Sequence, residues 1–280
     1  MDSLVSTEWL AEHLQKDDVV VLDATRHLPN AGRDARAEFE ERHIPGAHFF
    51  DLTNLVDETS DVPQALPRPE QLTAALAACG ADRSNRIVFY DDSAVNTAAR
   101  GWFLCHAHGL ENVAILDGGL SKWRFEGRPL ESGQSVTTPK DSFTLPAPDR
   151  IRFKRDMLAN IKSEVAHVLD ARDNGRFSGA TEDGVHGQPT GHIPGSCNLP
   201  FGQLFEADGT YKPREELNRM LGLAGITPAK PVITTCGSGV TACALLFALH
   251  LTGRDDTALY DGSWLDWGSD PETPNATSVS

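Results

Sequence analysis

Short apolar runs alternate with helical patterns along most of the chain. Apolar runs that end in polar or glycine-containing turns are typical of buried strands. They predict six strands, at Val19–Asp23, Ile87–Tyr90, Ala114–Leu116, Val165–Asp170, Pro231–Thr235 and Ala258–Tyr260. Helices are predicted at Thr7–Leu14, Pro69–Cys79, Asn96–His108, Glu215–Leu221 and Val240–Thr252, several of them followed by glycine. This alternation predicts an α/β fold in which a parallel sheet is flanked by helices.

The same pattern occurs twice, which indicates an internal duplication. Val19–Ala24 recurs as Ala166–Ala171, Arg42–Ala47 as Gly191–Ser196, Glu70–Gly80 as Glu215–Gly225, and Asp117–Trp123 as Asp261–Trp267. The order is kept and the separation changes by only a few residues, so similarity between unrelated domains is a poor explanation. We predict two domains, 1–130 and 151–280. The segment 131–150 is rich in Ser, Thr, Pro and Gly and is interpreted as a linker.

Composition and charge exclude some partners. The 280 residues carry a net charge of -15, with 40% hydrophobic and 23% charged residues, as in ordinary globular proteins. A chain this acidic is expected to repel nucleic acid phosphates and anionic lipid, so neither is an expected partner. The N-terminus has no basic stretch followed by an apolar one, and no window is apolar enough for a membrane helix. We therefore expect a cytoplasmic protein.

The cysteine pattern is unlike that of a disulfide framework or a zinc site. The five cysteines have no close pair, so we expect reduced thiols. His186, His192 and Cys197 are the candidate metal ligands, but they lack the close spacing of a zinc site, and no metal is expected. Because neither a Walker loop nor a Gly-x-Gly-x-x-Gly turn opens a helix, no nucleotide or other cofactor is expected either.

One cysteine occupies a position that suits catalysis. Cys236 follows the predicted strand Pro231–Thr235 and precedes an apolar helix, with glycines at 237 and 239. Glycines let the backbone curl so that successive N–H groups point at the sulfur, and the helix dipole adds to the positive potential. This setting favours the thiolate, which is the nucleophilic form. We predict Cys236 as the nucleophile; the alternative is a buried structural cysteine.

The residues after Cys236 are candidates to stabilise a sulfur anion. Backbone N–H groups over Gly237, Ser238, Gly239, Val240 and Thr241 can donate to it. The hydroxyls of Ser238 and Thr241 can add hydrogen bonds to sulfur or to a departing oxygen. Ser238 has a second interpretation as the N-cap of the helix. Cys243, on that helix, is interpreted as a core residue, with a resolving thiol as the alternative.

These motifs resemble those of a known family. Cys236–Ala242, with His192–Gly195 upstream and Asp261–Trp264 downstream, is similar to the tandem-domain rhodaneses, and most similar to their 3-mercaptopyruvate sulfurtransferase branch. Gly32–Arg36, Phe39–Ala47 and Phe49–Asp51 match that family's N-terminal domain. The resemblance implies two rhodanese-like domains, each a small parallel sheet flanked by helices. It also implies that Cys236 carries sulfur as a persulfide, whereas the first domain has Asp91 at the equivalent position and lacks a nucleophile.

The resemblance also concerns the sulfur donor. Gly237 and Ser238 are neutral, whereas family members that prefer the thiosulfate dianion carry basic residues there. Arg176 matches an arginine that holds the donor carboxylate in the mercaptopyruvate branch, and a guanidinium suits a carboxylate through two parallel hydrogen bonds. Without the resemblance, a solvated surface arginine is the alternative.

Three positions depart from the mercaptopyruvate branch. Val185, with His186 next to it, stands where a second arginine is usual. Thr53 and Gln64 stand where an acidic residue and a histidine often work with the loop serine. Neither side chain can relay a proton.

The predicted activity is transfer of sulfane sulfur from 3-mercaptopyruvate through Cys236 to a thiol or to cyanide, with release of pyruvate. Thioredoxin and glutathione are the expected thiol acceptors. The alternatives are a thiosulfate sulfurtransferase and a non-catalytic sulfur-relay or binding scaffold. A cysteine phosphatase is disfavoured because its loop needs an arginine six residues after the cysteine, where this chain has Ala242. His43 and His192 are interpreted as structural residues of a turn.

Overall fold

The chain forms two compact units. A computed structural model describes residues 1–141 and 143–278, so position 142 of the predicted linker and positions 279–280 of the predicted second domain lie outside the described residues. Unit 1 comprises Met1–Asp57, Leu66–Asp149 and Phe205–Tyr211. Unit 2 comprises Glu58–Ala65, Arg150–Leu204 and Lys212–Ser280. The two short segments 58–65 and 205–211 therefore group with the unit that is distant from them in sequence.

The segment 131–150, interpreted above as a linker, belongs almost entirely to unit 1. Glu131 and His43 exchange two backbone hydrogen bonds of 2.9 Å in an antiparallel bridge. Leu145 is buried, and the backbone N–H of Lys140 donates to the carbonyl of Ala77 at 3.0 Å. Polar, unpatterned sequence did not reveal this packing because the contacts are made mostly by the backbone.

Unit 1 is built on a five-stranded parallel sheet with the strand order β1-β5-β4-β2-β3. Its strands are β1 Leu4–Val5, β2 Val19–Asp23, β3 His48–Phe49, β4 Arg86–Tyr90 and β5 Val113–Leu116. Its helices are α1 Thr7–His13, α2 Ala35–Glu41, α3 Pro69–Ala78, α4 Ala98–Ala107 and α5 Gly119–Phe125. The central pair β2 and β4 is in register from Val19 opposite Arg86 to Asp23 opposite Tyr90.

Unit 2 repeats this order as β6-β10-β9-β7-β8, again all parallel. Its strands are β6 Ile151–Arg152, β7 His167–Asp170, β8 Cys197–Asn198, β9 Val232–Thr235 and β10 Thr257–Tyr260. Its helices are α6 Lys154–Ser163, α7 Asn174–Ser178, α8 Arg214–Leu223, α9 Ala242–Leu251 and α10 Ser263–Gly268, with a 3₁₀ turn at Phe201–Leu204. The predicted α/β fold with two parallel sheets is confirmed.

The central helix of unit 2 is apolar on all sides because it is buried on all sides. Every residue of α9 from Ala242 to Leu249 is buried, as expected for a helix without a polar face. Among the described residues, no helix combines the length and the hydropathy that crossing a membrane would require.

A buried ion pair closes the carboxyl end of β7. Arg172 and Asp170 are each 1% exposed, and the guanidinium donates to Asp170 through Nε at 3.0 Å and Nη2 at 2.7 Å. Arg172 Nη2 also donates to the carbonyl of Gly191 at 2.8 Å, and the guanidinium carbon lies 4.4 Å from the ring centroid of Trp264. The pair thus ties β7 to α10.

We expect Asp170→Ala to lower the free energy of unfolding by about 3–5 kcal/mol, because it leaves the Arg172 guanidinium buried without its counter-ion. Urea denaturation followed by tryptophan fluorescence measures the change. Glu216→Ala, which breaks the exposed Glu216–Arg219 pair on α8, is the matched control and should have little effect. Equal effects of the two substitutions would contradict a structural role for the buried pair.

Candidate active site

Cys236 lies at the carboxyl edge of the second sheet. It directly follows β9, where the backbone N–H of Ala171 donates to the carbonyl of Thr235 at 2.9 Å, and it is 1% exposed. The carboxyl ends of parallel strands are where α/β proteins usually place ligands. The fold therefore puts the predicted nucleophile where chemistry is expected.

The backbone around Cys236 turns its carbonyls towards protein donors. The carbonyls of Cys236 and Gly237 accept from the N–H groups of Trp264 and Leu265 at 2.9 and 2.8 Å. The Cys243 thiol donates to the carbonyl of Gly239 at 3.2 Å. The carbonyls of residues 236, 237 and 239 thus hold the loop in place.

The N–H groups of the same loop are left for a ligand. In the part of the chain that the structure describes, those of Gly237, Ser238, Val240 and Thr241 donate to no protein acceptor. A run of such donors beside a helix N-terminus is a binding site for an anion. These four N–H groups follow Cys236 directly in the chain, and the anion-binding nest around its sulfur stays a prediction.

The helix begins later than the sequence predicted. α9 starts at Ala242, and Thr241, not Ser238, precedes its first residue. The interpretation of Ser238 as the N-cap is wrong, because residues 237–240 form bends before the helix starts. The half-buried Ser238 hydroxyl consequently belongs to the loop itself.

Sequence reasoning missed Ser263, which contacts the backbone of the predicted nucleophile. Its hydroxyl accepts from the backbone N–H of Cys236 at 3.2 Å and donates to the carbonyl of Tyr260 at 2.9 Å. Ser263 has a φ of 50°, in the left-handed region that favours glycine, and its counterpart in unit 1 is Gly119 with a φ of 56°. A serine at a glycine position of the repeat was the signal that could have revealed it.

The other cysteines lie in settings that disfavour the thiolate. Burial raises the pKa of Cys79 to about 11 and raises the pKa of Cys105 and Cys197 as well. Cys243 is fully buried and is committed to the loop carbonyl. This placement agrees with a core role for Cys243.

Arg176 lies on α7 and is held by two carboxylates. Its Nε donates to Asp173 at 2.5 Å, and its Nη1 lies 3.5 Å from Oδ1 of the buried Asp183. The pKa of Arg176 is raised, because the hydrogen bonds and charges of these carboxylates outweigh its burial. Asp183, which sequence reasoning missed, also accepts from the N–H groups of Val185 and His186 at 3.1 Å.

The positions that depart from the mercaptopyruvate branch lie in different places. Val185 is in the turn that Asp183 organises. Gln64, with a φ of 59°, is in the segment 58–65 that groups with unit 2. Thr53 is exposed in unit 1, where its N–H donates to Asp51 at 3.0 Å.

The duplicated histidines make equivalent structural contacts. The His43 Nδ1 lies 2.8 Å from the carbonyl of Phe39, and its ring stacks on Phe39 with centroids 4.1 Å apart. His192 repeats both contacts with Phe177, at 2.8 and 3.9 Å. Both therefore act as turn residues, in agreement with the sequence interpretation.

In unit 1 a carboxylate fills the loop that is open in unit 2. Asp91 follows β4 as Cys236 follows β9, and its oxygens accept from the N–H groups of Ser93 at 2.9 Å and Ala98 at 2.6 Å. A cavity of about 450 Å³ adjoins this loop and is lined in part by Asp92, Gly119 and Tyr211. The cavity thus adjoins a loop that has a carboxyl group, Asp91, where unit 2 has Cys236.

Burial raises the pKa of Asp91 to about 7, although the two N–H groups oppose this shift. A carboxyl whose folded-state pKa exceeds its unfolded value stabilises the fold at low pH, and this contribution is lost as pH rises through the folded pKa. We expect the melting temperature of the native protein to fall relative to that of Asp91→Asn between pH 5 and 8. Parallel melting curves across this pH range would show that Asp91 does not titrate there.

The chain is similar to known proteins over nearly its whole length. Residues 6–126 and 154–270 each match the rhodanese-like domain family. It is 39% identical to the 3-mercaptopyruvate sulfurtransferase of Mus musculus over 95% of this chain and 91% of that one. It is 36% identical to the thiosulfate sulfurtransferase of Cricetulus griseus over 97% and 94% of the two chains. The crystal structure of SseA from Escherichia coli, a 3-mercaptopyruvate sulfotransferase, superimposes with a TM-score of 0.85 and 33% identity, covering 94% of this chain and 99% of that one.

Proposed function

The chain belongs to the rhodanese-like family of sulfurtransferases, and on this basis we propose that Cys236 takes sulfur from 3-mercaptopyruvate as a persulfide and passes it on. The tandem arrangement predicted from the internal duplication is confirmed. A single observation carries the assignment of Cys236. Four N–H groups of the loop that follows Cys236 have no acceptor among the described residues, whereas Asp91 fills the equivalent loop of unit 1.

In the first half-reaction the Cys236 thiolate attacks the donor sulfur. An S–S bond forms, the C–S bond of the donor breaks, and its electron pair goes to carbon as the enolate of pyruvate. The proton of the donor thiol balances the charge when the enolate becomes pyruvate. The loop N–H groups donate to the persulfide anion, whose charge would otherwise be poorly solvated in this buried position.

In the second half-reaction an acceptor thiolate attacks the outer sulfur of the persulfide. The S–S bond to Cys236 breaks, the acceptor leaves as a persulfide, and Cys236 returns to the thiolate. Cyanide leaves as thiocyanate by the same step. Glutathione and thioredoxin are the proposed thiol acceptors, because this step requires an attacking thiolate.

The neutral loop supports 3-mercaptopyruvate over thiosulfate as the donor. Gly237 and Ser238 contribute no positive charge next to the nucleophile, and the amide nest suits a single sulfur anion. Thiosulfate remains the second candidate because a thiosulfate sulfurtransferase is also a relative at 36% identity.

Cys236→Ser should reduce sulfur transfer to cyanide by roughly a thousand-fold or more, because no thiolate remains to attack the donor. Thiocyanate formation with each donor measures this loss, and intact-protein mass spectrometry detects the added sulfur atom on the native chain. Cys197→Ser, which changes a half-buried cysteine of the same unit, is the control and should retain both readouts. Transfer that survives in Cys236→Ser would exclude the mechanism, and a native protein inactive with both donors would favour a relay or scaffold.

Arg176→Ala should raise KM for 3-mercaptopyruvate by roughly ten-fold, the value of one hydrogen bond to a charged group. The KM for thiosulfate should change less, because that donor has no carboxylate. Arg176→Lys keeps the positive charge but loses the planar guanidinium, so its KM for 3-mercaptopyruvate should lie between those of the native protein and Arg176→Ala. Arg219→Ala, on the exposed face of α8, controls for loss of a positive charge. An unchanged KM in Arg176→Ala would remove this residue from donor binding.

A further inference from the structure

The imidazole of His186 lies against the active loop at the residue after the nucleophile. A Cβ atom built on the buried Gly237 would overlap Nε2 of His186 and would lie 2.6 Å from its Cδ2. The ring therefore occupies the volume that a side chain at position 237 would need. A side chain at position 237 would therefore have to displace the His186 ring.

The segment that carries His186 is anchored from both directions. The buried Asp183 carboxylate accepts the backbone N–H of His186 at 3.1 Å, and the Gln188 side chain donates to the His186 carbonyl at 3.4 Å. The same Asp183 carboxylate lies 3.5 Å from Arg176 Nη1. One buried carboxylate thus holds both Arg176 and the histidine that touches the loop.

Arg176 cannot by itself supply a net positive charge to a donor. Its Nε and Nη1 atoms face the carboxylates of Asp173 and Asp183, so its charge is already compensated. A carboxylate that enters this site needs a further hydrogen-bond donor. His186 can provide one, because an imidazole nitrogen that carries a proton is a donor in both its neutral and its charged form.

We propose that His186 is a donor-binding residue, whose imidazole hydrogen-bonds the carboxylate of an α-keto-acid donor while Cys236 attacks the sulfur. This inference rests on the proposed function, since it concerns the same loop and the same donor. In 3-mercaptopyruvate two carbon atoms separate the sulfur from the carboxyl group. A donor whose sulfur is at Cys236 therefore has its carboxylate a short distance from the loop, and His186 is a side chain that contacts the residue next to Cys236.

Two variants separate hydrogen bonding from packing. His186→Phe keeps a flat ring against Gly237 and loses the donor nitrogen, whereas His186→Gln keeps a donor and loses the ring. We expect His186→Phe to raise KM for 3-mercaptopyruvate about ten-fold, while KM for thiosulfate and both kcat values change less than about two-fold. His186→Gln should recover most of the affinity. His167→Phe is the control. His167 is the first residue of β7 and contacts Thr227, so this substitution should leave KM and kcat unchanged for both donors.

Pyruvate binding tests the inference without turnover. Titration calorimetry measures the dissociation constant of pyruvate for Cys236→Ser. This constant should rise about ten-fold in the double variant with His186→Phe and should stay near the Cys236→Ser value in the double variant with His186→Gln. Equal pyruvate affinity with and without His186→Phe, or no pyruvate binding at all, would overturn the inference. If pyruvate binding depends on His186 while the native protein transfers no sulfur, then the proposed function fails and the binding role of His186 stands.

Discussion

In the loop after β9, the backbone carbonyls and the backbone N–H groups are treated differently by the rest of the protein. The loop carbonyls are satisfied by Trp264, Leu265 and the Cys243 thiol, while four N–H groups receive no acceptor among the described residues. An unsatisfied buried donor costs about 1–3 kcal/mol. The neighbouring elements, mainly α10, therefore hold the loop in a conformation whose N–H groups a bound anion would satisfy.

Backbone strain at Ser263 is part of the same arrangement. A non-glycine residue in the left-handed region costs about 1–3 kcal/mol. Here the side chain offsets that cost by accepting from the Cys236 N–H and donating to the Tyr260 carbonyl. In unit 1 the same turn is made by Gly119, where a Cβ atom would approach the Asp91 carbonyl. Unit 2 thus keeps a strained serine whose hydroxyl holds the backbone of Cys236.

The duplication also shows how charge differs between the two sheet edges. In unit 2 the carboxylate of Asp170 is neutralised by the buried Arg172. In unit 1 the equivalent carboxyl group is that of Asp23, and Thr25 stands in the place of Arg172. Burial raises the pKa of Asp23 to about 6. Burial thus raises the pKa of Asp23 and of Asp91, the latter to about 7, at the sheet edge of unit 1. The same backbone arrangement therefore carries the proposed anion site in unit 2 and two buried acidic residues in unit 1.

The sequence by itself determined the sheets and the duplication, and it singled out Cys236 as the predicted nucleophile. Central strands such as β4 and β9 are buried on both faces, so they read as apolar runs, and Cys236 is recognisable because glycines follow it locally. The two-residue edge strands are too short to show a hydrophobic pattern, and no local sequence signal marks the start of α9 at Ala242. Ser263 and His186 lie 27 and 50 positions from Cys236 in the chain. Only tertiary structure brings them to the loop, because contacts between distant segments depend on sheet order and backbone geometry and not on periodicity.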